Sequence, residues 1–239
     1  MGGSMLYQVS LLQTLSLGRY EGSISIGELK KNGDIGIGTF DGLDGEMIML
    51  DGTVYKASAD GSVSVISDDV TTPFANATFA KDDLSKTVSA SSMKELNDGI
   101  DRIVSERGIN CVYFIRLNGV FDSIRLRSVP KQKGPYRKLA DVLSSEQVEW
   151  TLKGIGGTVV GVYCPSYMSM VNNHGWHLHF ISDDRKKGGH VLDLSVKNGM
   201  CQFTVVDTMK IVLPDDPSFH SLDLSKDQGK DIKRIEGTE

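Results

Sequence analysis

Three of the chain's five histidines fall in Gly175-Trp176-His177-Leu178-His179-Phe180 and the nearby Gly188-Gly189-His190. Neutral imidazole is the commonest metal-binding side chain near physiological pH. Side chains alternate on an extended strand, so His177 and His179 share a face, about 6–7 Å apart at the Cα. Trp176, Leu178 and Phe180 then face a core. Asp183 to Gly189 reads as a turn and Val191 to Leu194 as a returning strand, which brings His190 beside the first pair. Three converging imidazoles make a catalytic-type zinc site with positions left open for water or substrate. A single strand histidine is ordinarily a hydrogen-bonded core or surface residue. Three in one hairpin favour a metal, with His174 and His220 outside the set.

The rest of the composition narrows the function class. The 239 residues are 39% hydrophobic and 24% charged, as in an ordinary globular protein long enough to bury a real core. A net charge of −5 argues against a general nucleic-acid binder. Lys131, Lys133, Arg137 and Lys138 form the densest basic group, and a solvated loop accounts for them. No apolar run approaches the ~20 residues of a membrane-spanning helix. The N-terminus lacks a secretory pattern, so a cytoplasmic location is expected. Cys111, Cys164 and Cys201 suit reduced thiols. Gly36 and Gly38 do not extend to a G-x-G-x-x-G opening a helix, so a phosphate loop is discarded.

The elements that must position the histidines are mostly short strands. Leu6 to Arg19 has roughly helical spacing, Tyr20 to Ile26 alternates, and Gly27 to Lys30 begins a short helix. Asp34 to Phe40, Gly45 to Leu50 and Thr53 to Ala57 form a meander, turning at Asp41-Gly42 and Asp51-Gly52. Gly61 to Ile66, Pro73 to Phe79 and Leu84 to Ala90 follow as strands. Ser92 to Glu106 predicts a helix, with Ser91 or Ser92 as cap and Glu95 available for a capping box. Cys111 to Leu117 and Val120 to Val129 read as a hairpin joined at Asn118-Gly119. Leu139 to Trp150 reads as a helix, Gly154 to Gly157 as a flexible turn, and Thr158 to Cys164 as a strand. Gln202 to Val206 and Met209 to Leu213 are two further strands, and a charged tail follows Ser225. This pattern is a β-rich α+β protein. The expected division is a sheet-rich N-terminal domain over 5–150 and a C-terminal metal-binding β domain with tail over 151–239.

Several segments together resemble the α-acetolactate decarboxylase family from Tyr7 to Glu236. They are Gly36-Ile37-Gly38-Thr39-Phe40-Asp41-Gly42-Leu43-Asp44-Gly45-Glu46 with Asp51-Gly52, then Arg127-Ser128-Val129-Pro130-Lys131-Gln132 with Pro135-Tyr136, then the histidine hairpin. The resemblance implies a zinc enzyme converting 2-acetolactate to acetoin and carbon dioxide. It also implies dimers paired through an N-terminal sheet, with a barrel-like C-terminal part. By position, His177, His179 and His190 resemble the zinc ligands, and Glu46, Arg127 and Thr39 the active-site glutamate, arginine and threonine. Glu236 is similar to a glutamate that the family's C-terminal tail sends back to the metal.

Without the resemblance, Glu46 reads as an exposed acid after a turn and Thr39 as an ordinary β-former. One of Arg125 and Arg127 must face solvent, and pattern alone does not say which. A cupin-type oxygenase or isomerase also uses H-x-H on a strand, but it usually adds a glutamate shortly afterwards, where this chain has Asp183 and Asp184. A non-catalytic metal-binding module is the remaining alternative. Only the decarboxylase reading uses the Glu46 and Arg127 segments together.

Overall fold

The computed structural model describes residues 4–225. In chain order the elements are β1 (Ser4–Val9), α1 (Leu12–Ser16), β2 (Ile24–Ser25), α2 (Ile26–Lys30), β3 (Ile35–Thr39), β4 (Glu46–Leu50), β5 (Thr53–Ala57) and β6 (Val63–Val65). Then come β7 (Thr71–Thr72), β8 (Ala75–Thr78), β9 (Leu84–Ala90), α3 (Met93–Arg107), β10 (Val112–Ser128) and α4 (Leu139–Glu146). The last are β11 (Val148–Cys164), β12 (Gly175–Ser182), β13 (Gly188–Val212) and α5 (Pro217–His220).

The fold is α+β and β-rich, as the pattern of many short strands and few helices predicts. β10 pairs with β11, β11 with β12, β12 with β13, and β13 again with β10, so these four strands close into a barrel. The end of β13 pairs in parallel with β1, and the sheet continues through β8, β3, β4, β5 and β6. One face of the barrel strands packs with α3 around Phe121, Phe180 and Phe203. The other meets the N-terminal sheet around Ile37, Ile48, Phe114 and Val160. α3 begins as expected: Ser92 Oγ accepts from Glu95 N, and Glu95 reaches back to Ser91 N.

The meander over β3, β4 and β5 stands as read, with Asp51 at φ 50 in its second turn. Other expectations are overturned. Leu6 to Arg19 is not one helix. Its first part is β1, held between β13 and β8, and the ladder on both edges overrides the helical spacing. Asn118-Gly119 is not a hairpin turn but lies within β10. A Cβ on Gly119 would stand 3.1 Å from Val196 Cγ2 and 3.2 Å from the Gly199 Cα, so the glycine admits a neighbouring strand. Gly154 to Gly157 is not a loop either. β11 continues through it, with Gly154 at φ 59, and a Cβ on Gly157 would come within 2.4 Å of the Phe180 ring. The helix expected over Leu139 to Trp150 stops at Glu146, because β11 begins at Val148. The three strands read between Val191 and Leu213 are the single strand β13. β11 also crosses residues 150 and 151, and the barrel takes its first strand from residues 112–128.

Candidate active site

His177 and His179 leave β12 toward the N-terminal sheet, and His190 leaves β13 directly opposite His179. One ring nitrogen from each lies within 4.8 Å of the other two. His177 Nε2 stands 3.0 Å from His179 Nε2 and 3.2 Å from His190 Nδ1. Two nitrogens bound to a tetrahedral zinc at ~2.0–2.1 Å are roughly 3.3–3.4 Å apart, so this trio fits one ion. His179 Nδ1–H donates to the Met47 carbonyl at 2.7 Å, which fixes the tautomer and leaves the Nε2 lone pair facing the site.

All three rings are buried, and burial is the main reason they resist protonation. Burial, with help from the Arg127 guanidinium, lowers His177 to about 3. For His179, burial and then the charge of His177 push in the same direction; for His190, burial and then Arg127. Neutral imidazole is the form that binds a metal.

The other residues singled out in the sequence gather around this point. Arg127 is buried and sits opposite His190 across β10 and β13. Its Nη1 donates to Gln147 Oε1 at 3.5 Å. The Arg125 side chain is 53% exposed beside Glu149, so Arg127 is the member of the pair that points inward. Glu46 opens β4 and places Oε2 3.5 Å from His179 Nε2. Thr39 pairs with Glu46 across β3 and β4, and its hydroxyl donates to the Gly45 carbonyl at 2.7 Å. Glu236 lies outside the described residues.

Thr39, Glu46, Arg127, His177 and His190 line a cleft of about 430 Å³, counted to its open mouth. Its apolar lining comes from Leu12 and Leu15 of α1, Leu139 and Leu143 of α4, and Phe74. Sequence reasoning missed these leucines, because their helical spacing reads equally well as core. It also missed Leu43, buried at the cleft in the left-handed conformation (φ 56). The only signal was its place in Asp41-Gly42-Leu43-Asp44-Gly45, a run rich in residues that tolerate such turns.

Comparison with known proteins places the chain in a family. The profile of the family described as alpha-acetolactate decarboxylase matches residues 6–226. The chain belongs to the alpha-acetolactate decarboxylase family. Alpha-acetolactate decarboxylase of Methanosarcina mazei is 39% identical over 234 residues, covering 97% of this chain and 80% of that one. The enzyme of the same name from Raoultella terrigena is 39% identical over 225 residues, covering 94% and 86%. The crystal structure of alpha-acetolactate decarboxylase from Bacillus subtilis strain 168 aligns with TM-score 0.93 at 32% identity, over 98% of this chain and 99% of that one. The chain is thus an enzyme of the carboxy-lyase class, and its fold is that of the alpha-acetolactate decarboxylase structures. Among the described residues, no helix is long and apolar enough to cross a membrane.

Proposed function

We propose that this chain converts 2-acetolactate to acetoin and carbon dioxide, using a zinc ion held by His177, His179 and His190. The observation that carries the reading is the convergence of three neutral imidazoles, two of them lining the cleft that also receives Arg127 and Glu46.

In 2-acetolactate one carbon bears the carboxylate and a hydroxyl, and a ketone stands beside it. Breaking the bond to the carboxylate releases carbon dioxide and leaves an electron pair, which the ketone accepts as an enediolate. A zinc ion in this site supplies a Lewis acid where that negative charge develops. Arg127 orients the substrate and faces the enediolate oxygens. A tight grip on the carboxylate would stabilise the ground state, whose charge there is lost, and would raise the barrier. Glu46 delivers the proton that completes the new C–H bond, with Glu236 as a second candidate donor. The Thr39 hydroxyl proton is engaged by Gly45, so Thr39 serves by holding the turn that presents Glu46. The leucine wall receives the substrate's methyl groups and keeps water from the reacting carbon.

The test is acetoin and carbon dioxide release from racemic 2-acetolactate by the zinc-loaded protein and by His177→Ala. Turnover by the first alone is expected; a folded, zinc-loaded protein without turnover would sink the assignment. We also propose a cytoplasmic homodimer joined through the N-terminal sheet. The open edge at β6, where Val65 is 67% exposed, supports that pairing. Light scattering that returned the mass of one chain would overturn it.

A further inference from the structure

We infer that Ser128 is a positioning residue, setting the barrel strand that carries Arg127 against the sheet strand that carries Glu46. The inference rests on the proposed decarboxylation and adds a part for a residue that touches neither substrate nor metal. Ser128 is fully buried, and its Oγ donates to the Ala57 carbonyl at 2.8 Å, across 71 positions of sequence. It directly follows Arg127 at the end of β10. Ala57 is the residue opposite Glu46 in the pairing of β4 with β5.

The same Ala57 carbonyl packs against the backbone just before Glu46, since a Cβ on Gly45 would come within 2.5 Å of that oxygen. The Gly45 carbonyl is in turn held by the Thr39 hydroxyl. One chain of contacts therefore runs from the residue after Arg127 to the turn before Glu46. Besides the ladder of β1 with β13 and polar links such as Arg116 to Asp51 and Gln132 N–H to the Gly42 carbonyl, barrel and sheet meet through apolar side chains such as Ile37, Ile48, Phe114 and Val160. Apolar packing is non-directional, whereas a hydrogen bond fixes distance and angle. The Ser128 bond, with that from His179 to Met47, sets how the two layers meet at the cleft.

The experiment compares wild type, Ser128→Ala, Ser128→Thr, Glu46→Gln and the double variant Ser128→Ala/Glu46→Gln. For each, kcat, KM, zinc content and Tm are measured with 2-acetolactate. Misplacing reacting groups by 1 Å can cost ~10²-fold, and loss of one tether is expected to cost roughly tenfold in kcat. KM should stay within about threefold, zinc content should be unchanged, and Ser128→Thr should recover most of the rate. In the double variant the losses should combine to clearly less than their product, because both changes act on one arrangement. A Ser128→Ala enzyme with wild-type kcat, or losses that multiply in full, would overturn the inference. Should the alanine variant not fold, Ser128→Cys keeps the volume with a weaker donor and must show the same KM-sparing loss. Absence of turnover in the wild type would instead remove the decarboxylase reading, and this inference with it.

Discussion

His177, His179 and His190 converge as neutral rings that could hold one ion, so nothing has to be deprotonated before it binds. Replacing any of them by alanine is expected to abolish stoichiometric zinc binding and to lower kcat/KM by at least ~10³-fold, read by metal analysis beside the acetoin assay. Glu46 and Arg127 should separate from the histidines in that comparison. Glu46→Gln keeps the site's shape but removes the proposed proton donor, so zinc should remain while kcat falls by ~10²–10³-fold at nearly constant KM. Arg127→Ala is expected to lower kcat by about 10²-fold. A rise in KM alone would assign the guanidinium to ground-state binding and refute the part given to it in the transition state.

At the scale of elements, the strands hold the site through very close backbone packing, and glycine is where that can be tested. Gly157→Ala would drive a methyl group into the Phe180 ring and the Ile181 carbonyl. It should destabilise the protein by about 1–3 kcal/mol, visible as a lower Tm, and reduce activity because Phe180 follows His179 on β12. The same packing explains what the sequence concealed. Asn118-Gly119 and Gly154 to Gly157 carry the chemistry of turns, but at Gly119 and Gly157 the missing side chain makes room for a facing strand, which no local window reports. The histidine hairpin was legible because alternation, turn residues and ligand spacing are all local. The meander was legible for the same reason, through Asp41-Gly42 and Asp51-Gly52. Arg127 could be told from Arg125 only in the folded barrel. The C-terminal segment offers a further test. Asp216 caps α5 and pairs with the buried Arg19 guanidinium, whose hydrogen bond holds its carboxyl well below the usual range. A depressed pKa contributes stability above the unfolded value, and that stability is lost as pH falls through the folded one. Acid titration below about pH 4 should therefore destabilise wild type more steeply than Asp216→Asn, and superimposable curves would refute this.

For the whole molecule, one sheet joins β1 to the last part of β13, the two strands running parallel. The His179 ring joins the histidine cluster of the barrel to the Met47 carbonyl on β4. Neither layer can open at this seam without disturbing the other, so the expectation is a single cooperative melting transition. A ligand that binds only the folded state stabilises it by RT ln(1 + [L]/Kd), about 2.7 kcal/mol at a hundredfold excess over Kd. Adding zinc to metal-free protein should thus raise the one transition as a unit, and chelation should return it. Calorimetry showing two transitions, only one of them shifted by zinc, would mean that the barrel holds its metal independently of the sheet. Glu46, which the sheet contributes, would then have to be placed by something other than this shared core.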